Sequence, residues 1–244
     1  MQLGGLPILR DVAVGTWIAE AVGRAHWSTV GSLVPALFPA YARVLHPAYR
    51  YDGDDDVEIP WAAVARLNGT TAHPRMQWPA VTGGWEYASE DSQPPTWDGT
   101  PAEGHLPGTV AARMVAVLSR HTSTPGDCCF GRWTGFGYDT AELRGAPRLP
   151  LPRARDVVLA HGSVADAVRN LAPEPSEQSA NLWWPADRAW VVATDIDLMS
   201  TYVGGSEACV AELLAAPGLE VVPADPGDRV GHADDPVNPV PPRG

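Results

Sequence analysis

Apolar residues at Val14, Trp17, Ile18, Ala21 and Val22 recur with helical spacing, so residues 11–24 predict a helix with one face turned inward. The next stretch follows a different period. Pro35 and Pro39 force extended chain, and residues 40–46 have strand character that Pro47 ends. Residues 51–56 read as a turn. A short helix follows, with Pro60 near its first position, Trp61, Val64 and Ala65 on its apolar side, and Asn68–Gly69 as its stop. Residues 73–105 are rich in Pro, Gly, Ser and Trp without any period, which predicts a long irregular connection. Thr109 then caps a helix carrying Val110, Met114, Val117 and Leu118 on one side.

The second half alternates strands and short helices. Strands are expected over 128–136, 156–161, 189–197, 201–203 and 219–223, with a second loose stretch over 137–155 and a linker or surface loop over 173–180. Ser163 with Asp166 matches a capping box, and Ser206 caps a helix that stops at Pro217–Gly218. From residue 224 onward the chain is acidic and proline-rich with no apolar period, which predicts a disordered tail over 224–244. The pattern therefore describes one α+β domain over 1–223, with a mixed or antiparallel sheet, several short helices and long Pro/Gly/Trp-rich loops.

Charge narrows the partners. The chain carries 17 basic and 29 acidic residues, a net charge of −12, and every basic residue is arginine. Without lysine there is no Schiff base and no Walker-type phosphate cradle. The negative surface repels phosphate backbones and anionic bilayers, so neither nucleic acid nor membrane is expected as a partner, and a cationic protein is favoured. Three cysteines form no disulfide framework, and adjacent Cys128 and Cys129 point to opposite faces of a strand. No signal peptide and no 18-residue apolar run is recognised, so a cytoplasmic location is expected.

Candidate chemistry is sparse. Asp195 and Asp197 follow the apolar run Trp190–Thr194, and strand geometry puts both carboxylates on one face, roughly 6 to 7 Å apart. Such a pair binds a divalent cation, splits into acid and base, or simply flanks a turn in water. The motif resembles the first motif of haloacid-dehalogenase-type phosphatases and the metal motif of glycosyltransferases. The phosphatase likeness fails because that motif belongs near the start of a chain and the usual lysine has no candidate. Residues 202–208, from Tyr202 to Ala208, resemble the nucleophile elbow of α/β-hydrolases, but too little chain follows Ser206, which reads better as a helix cap. Asp52, Asp54 and Asp56 echo an EF-hand start, yet Val57 and Ala63 stand where glycine and glutamate are required. The histidines lack zinc spacing, so no metal site is assigned.

Ten tryptophans against three phenylalanines are unusual. Trp183, Trp184, Asp187 and Arg188 fall within six residues, and adjacent indoles do not easily share one core, so one is expected on a surface pocket or partner site. Arg188 is the candidate anion clamp, and the alternative is an Asp187–Arg188 pair with both indoles covering the sheet edge. Four blocks, beginning Phe38–Pro39–Ala40–Tyr41, His73–Pro74–Arg75, His121–Thr122–Ser123 and Asn181–Leu182–Trp183–Trp184, resemble a set of uncharacterised actinobacterial proteins with no established activity. The step Pro35–Ala36–Leu37–Phe38 resembles the opening of SUKH-type immunity and interaction domains, which implies an acidic α+β protein-binding module.

Two functions follow as expectations. One is an interaction protein, immunity-like, that meets another protein through an acidic tryptophan-rich face built from Trp183, Trp184, Asp187, Arg188 and Tyr202. The other is a small-substrate enzyme in which Asp195 and Asp197 act as a carboxylate pair, with or without a divalent cation, His46 is a spare base and Arg188 holds an anion. No cofactor is implied by the first reading.

Overall fold

The chain is built on one eight-stranded sheet in which every neighbouring pair is antiparallel. The structure, a computed structural model, describes residues 1–53, 55–88, 92–137 and 141–242. The elements run β1 (Gln2–Leu3), β2 (Leu6–Pro7), α1 (Thr16–Arg24), β3 (Ala40–Leu45), β4 (Ala48–Asp52), β5 (Asp55–Ile59), α2 (Trp61–Asn68), α3 (Trp78–Thr82) and α4 (Gly108–Leu118). They continue with β6 (Cys128–Trp133), α5 (Ala141–Arg144), β7 (Arg148–Leu149), β8 (Val157–Gly162), β9 (Leu182–Pro185), β10 (Val191–Ala193), β11 (Ser200–Gly205), α6 (Glu207–Leu214) and β12 (Glu220–Ala224). The sheet order is β12-β3-β11-β10-β9-β6-β8-β7, so the fold is α+β, as the sequence pattern implies. Pro223 lies on the edge strand β12, where its missing N–H costs no ladder bond.

Both faces of the sheet are covered. On one face Phe130, Val158, Trp183, Val192 and Val203 pack against α4 and α6 through Met114 and Leu213. On the other, Leu159, Leu182, Trp184, Val191 and Tyr202 pack against Ile18 and Val22 of α1 and against Val30, Val34 and Val230. Successive residues alternate between the two cores, with Cys128 and Cys129 on opposite sides as the strand period requires. All three cysteines are buried free thiols, and burial pushes Cys128 up to about 12 and Cys129 up to about 11. A third core lies beside the sheet, where α2, α3 and the β4–β5 hairpin enclose Trp61, Trp78 and Trp97. Trp78 sits between the other two, with ring centroids 5.1 and 5.4 Å away.

Local signals explain several boundaries. Gly69 ends α2 at φ 68, in the left-handed region where glycine carries no steric penalty. Ser206 accepts the Cys209 N–H at 3.1 Å and so caps α6. Ser163 and Asp166 close their capping box, although the turn they open is a 3-10 helix, Val164–Val168. Thr109 does not cap α4, whose N-cap is Pro107; its hydroxyl instead donates to Glu58 at 3.0 Å. The acidic turn expected over 51–56 is narrower than expected, because β4 and β5 pair up to Asp52 and Asp55. Asp54 lies outside the described residues.

The segment expected to be a disordered tail packs along the domain. Asp235, its side chain fully buried, accepts N–H bonds from Gln77 (3.0 Å), Val237 (2.9 Å) and Asn238 (2.8 Å) and meets His73 Nε2 at 2.9 Å. Asn238 exchanges two bonds with Thr71, at 2.8 and 2.9 Å. Polar pairing, invisible to apolar periodicity, holds the segment. Burial alone raises the Asp235 pKa, but the backbone N–H bonds reverse this and hold it below the ordinary carboxylate value. A depressed carboxylate contributes stability above its unfolded pKa of about 4, and that stability is lost as pH falls through the lower folded value. Asp235→Asn is expected to weaken the strap by about 1–3 kcal/mol at neutral pH. Hydrogen exchange at the Thr71 and Asn238 amides measures this, and unchanged protection would refute it.

Candidate functional site

Asp195 and Asp197 do not share a strand. β10 ends at Ala193, and the next residues turn because Asp195 Oδ1 accepts the Asp197 N–H at 3.0 Å. The turn aims the carboxylates differently, leaving the Asp195 side chain 10% exposed and that of Asp197 66% exposed. What joins them is Arg155. Its Nε donates to Asp195 Oδ2 at 3.2 Å, its Nη2 to Asp195 Oδ1 at 3.4 Å, and the same Nη2 to Asp197. Arg155 stands just before β8, and its guanidinium lies 5.7 Å from the Trp133 ring centroid at the end of β6.

This ion cluster forms one lip of a narrow cleft on the α1 side of the sheet. Its walls are apolar, with Ile18, Val22, Leu33 and Leu182 below and Trp27 and Trp133 beside them. A second hollow adjoins it, sharing Trp27, Ser32, Leu33 and Asp195 and reaching Asp197 and His232. His232 Nε2 lies 2.8 Å from the Asp197 carbonyl oxygen and 3.2 Å from Glu103 Oε1. Its Nδ1 is buried without a hydrogen-bond partner among the described residues.

The rim is built from strained backbone. Among the described residues, four non-glycine residues have positive φ: Ser28 (64°), Arg153 (61°), Ala154 (57°) and Arg188 (56°). The first three flank the cleft. Each such residue costs of order 1–3 kcal/mol and persists only where its surroundings fix it. Here Trp133 Nε1 donates to the Ala154 carbonyl at 2.7 Å, Val230 N–H to the Ser28 carbonyl at 3.1 Å, and Arg153 stacks 5.0 Å from the Trp27 ring. These contacts hold Arg155 and Trp27 at the mouth.

His46 is not part of this site. It lies fully buried at the end of β3, with Nδ1 2.6 Å from the Ala102 carbonyl and Nε2 2.9 Å from Thr201 Oγ1, which in turn meets Thr194 Oγ1 at 2.7 Å. Burial lowers its pKa to about 3, so the ring is a neutral structural pin and has no solvent route as a base.

The expected binding face loses its aromatic part, while Asp187 and Arg188 stay exposed. Trp183 and Trp184 are 1% and 2% exposed, because β9 sends them into opposite cores, and Tyr202 is buried beside them. Asp187 ties down a loop, accepting from Thr122 Oγ1 (2.8 Å), Ser123 N (2.6 Å) and Ser123 Oγ (2.8 Å). Burial opposes but those bonds prevail, leaving its pKa below the ordinary value. Arg188 lies over the Trp17 ring at 5.0 Å and clamps no anion beside Asp195; the clamp position belongs to Arg155.

Another hollow lies on the α4 side and is lined by Tyr49, Glu58, His105, Arg169 and Glu177 among others. Two of its charges are already engaged, Glu58 by Arg113 and Arg169 by Asp166. Among the described residues no cluster of three or more His, Cys, Asp or Glu side chains could hold a metal ion. No helix of the described chain is long and apolar enough to cross a membrane. No protein family, curated protein or solved structure matches the chain. The site's reading therefore rests on its own chemistry. Arg155, Trp27, Trp133 and His232 carry no local signature: Arg155 reaches its carboxylates across 40 and 42 positions of sequence.

Proposed function

We propose that this protein binds a small molecule with an apolar body in the cleft between α1 and the sheet. The observation that carries the reading is an apolar cleft with a single charged lip, Arg155–Asp195–Asp197, held by strained backbone. Ligand sites typically combine apolar walls with few polar groups. Binding is favoured over catalysis because one guanidinium meets both carboxylates. The protein-interaction reading loses its aromatic residues to the core and keeps only Asp187 and Arg188 at the surface.

Hexanol, a neutral probe with a slender apolar body, tests this. Methyl NMR should show it binding at an order of millimolar affinity, with shifts confined to Ile18, Val22, Leu33 and Leu182. Ala193→Phe, which fills the same space, should abolish those shifts. Shifts elsewhere, or none, would overturn the proposal.

A further inference from the structure

We infer that Trp27 sets the length of ligand the cleft admits, its indole standing as a movable partition between the cleft and the hollow beyond it. This rests on the cleft being a small-molecule site, and it names the ligand class as a linear apolar chain. The cleft encloses about 60 Å³ and the adjoining hollow about 220 Å³. Joined, they approach the ~300 Å³ at which ligand sites begin. Four residues line both hollows: Trp27, Ser32, Leu33 and Asp195.

Hydrogen bonds fix three of the four. Ser32 is buried, and its hydroxyl donates to the Thr29 carbonyl at 2.7 Å. The Leu33 N–H donates to the Val30 carbonyl at 2.9 Å, and Asp195 is gripped by Arg155. Trp27 has no hydrogen-bonded anchor. Trp61, Trp78, Trp133 and Trp190 each donate Nε1 to a protein oxygen, whereas Trp27 Nε1 finds no acceptor among the described residues. Its side chain is half-buried, and the Arg153 guanidinium lies over the ring at 5.0 Å. Left-handed backbone adjoins both partners of that stack: Ser28 follows Trp27 at φ 64, and Arg153 itself is at φ 61. Strain of this kind collects at ligand clamps and switch segments. Beyond the indole, Leu198 and Val230 offer apolar wall to the end of a longer chain.

Hexanol and octanol, titrated into the full chain by methyl NMR, test this through the ratio of their affinities. In the parent, octanol is expected to bind no tighter than hexanol, since its last two carbons meet the indole. In Trp27→Ala those carbons enter the second hollow. Octanol should then bind about tenfold tighter than hexanol, with new shifts at Leu198 and Val230. The ratio cancels any contact that both alcohols lose with the indole. Arg153→Gly, which frees the ring and suits a left-handed position, should move the ratio the same way. A ratio that is the same in all three chains would overturn the partition while the cleft stands. Loss of hexanol binding in Trp27→Ala alone would make the indole a wall of the cleft and overturn the partition equally. If neither alcohol binds the parent or Arg153→Gly, the cleft itself falls, and the partition with it.

Discussion

Trp183→Ala is expected to lower the unfolding free energy by about 3–5 kcal/mol, with a melting point lower by roughly 10 °C. The indole lies between Phe130, stacked at 6.0 Å and 19°, and Trp190, edge-on at 5.1 Å and 79°. Trp190 is itself fixed, its Nε1 donating to the Leu118 carbonyl at the end of α4 at 3.0 Å. Truncating Trp183 opens a cavity in the middle of the helical face, where neighbours on β6 and β10 are held by the ladder and cannot collapse into it. Trp183→Phe should cost less, because it retains part of the stack. Urea unfolding measures both: the midpoint should fall with the slope unchanged. A midpoint within about 0.5 kcal/mol of the parent is what a surface residue gives, and it would restore Trp183 as a contact residue.

The same residue shows why the fold was only partly legible. Sequence patterning works where one face is wet, since alternation then marks the strand. Here helices cover one side of the sheet and α1 with the Val30 and Val230 segments the other, so β9 reads as Leu–Trp–Trp–Pro without alternation. The amphipathic helices α2 and α4 and the strand β3 each have clear period or clear stops, and they are where the pattern puts them. The run 189–197 reads as one strand, yet only Val191–Ala193 is ladder, because Asp195 captures the Asp197 N–H and turns the chain. The carboxylates were visible as a pair for the same reason that they turn: short acidic side chains two residues apart. Their partner was not, since an ion pair between Arg155 and Asp195 leaves no trace in either local sequence. The C-terminal strap was missed on similar grounds, because its anchors Asp235 and Asn238 are polar and their partners lie near His73 and Thr71.

Arg43→Ala is expected to cost about 2–6 kcal/mol, by a different route. Arg43 is buried on β3 with no carboxylate within ion-pair distance among the described residues. Its guanidinium donates to Ser200 Oγ (3.0 Å), the Met76 carbonyl (2.7 Å) and Gln77 Oε1 (3.3 Å), and lies 5.3 Å from the Trp61 ring and 5.8 Å from the Tyr202 ring. It thus fastens the sheet to the third core, reaching the chain just before α3 and the first residue of α2. Removing it strands a carbonyl and an amide oxygen in a dry place, at about 1–3 kcal/mol each, and uncovers Trp61. Arg43→Lys separates charge from geometry. An ammonium keeps the charge but offers a point where the planar fork reaches three acceptors and lies against two rings, and its desolvation is dearer. The lysine chain should therefore lose about 2 kcal/mol or more, with amide exchange in α2 and α3 accelerating before that of β6 and β8. A lysine variant as stable as the parent would mean that charge alone matters at this position, and that the third core does not depend on the guanidinium fork to stay docked on the sheet.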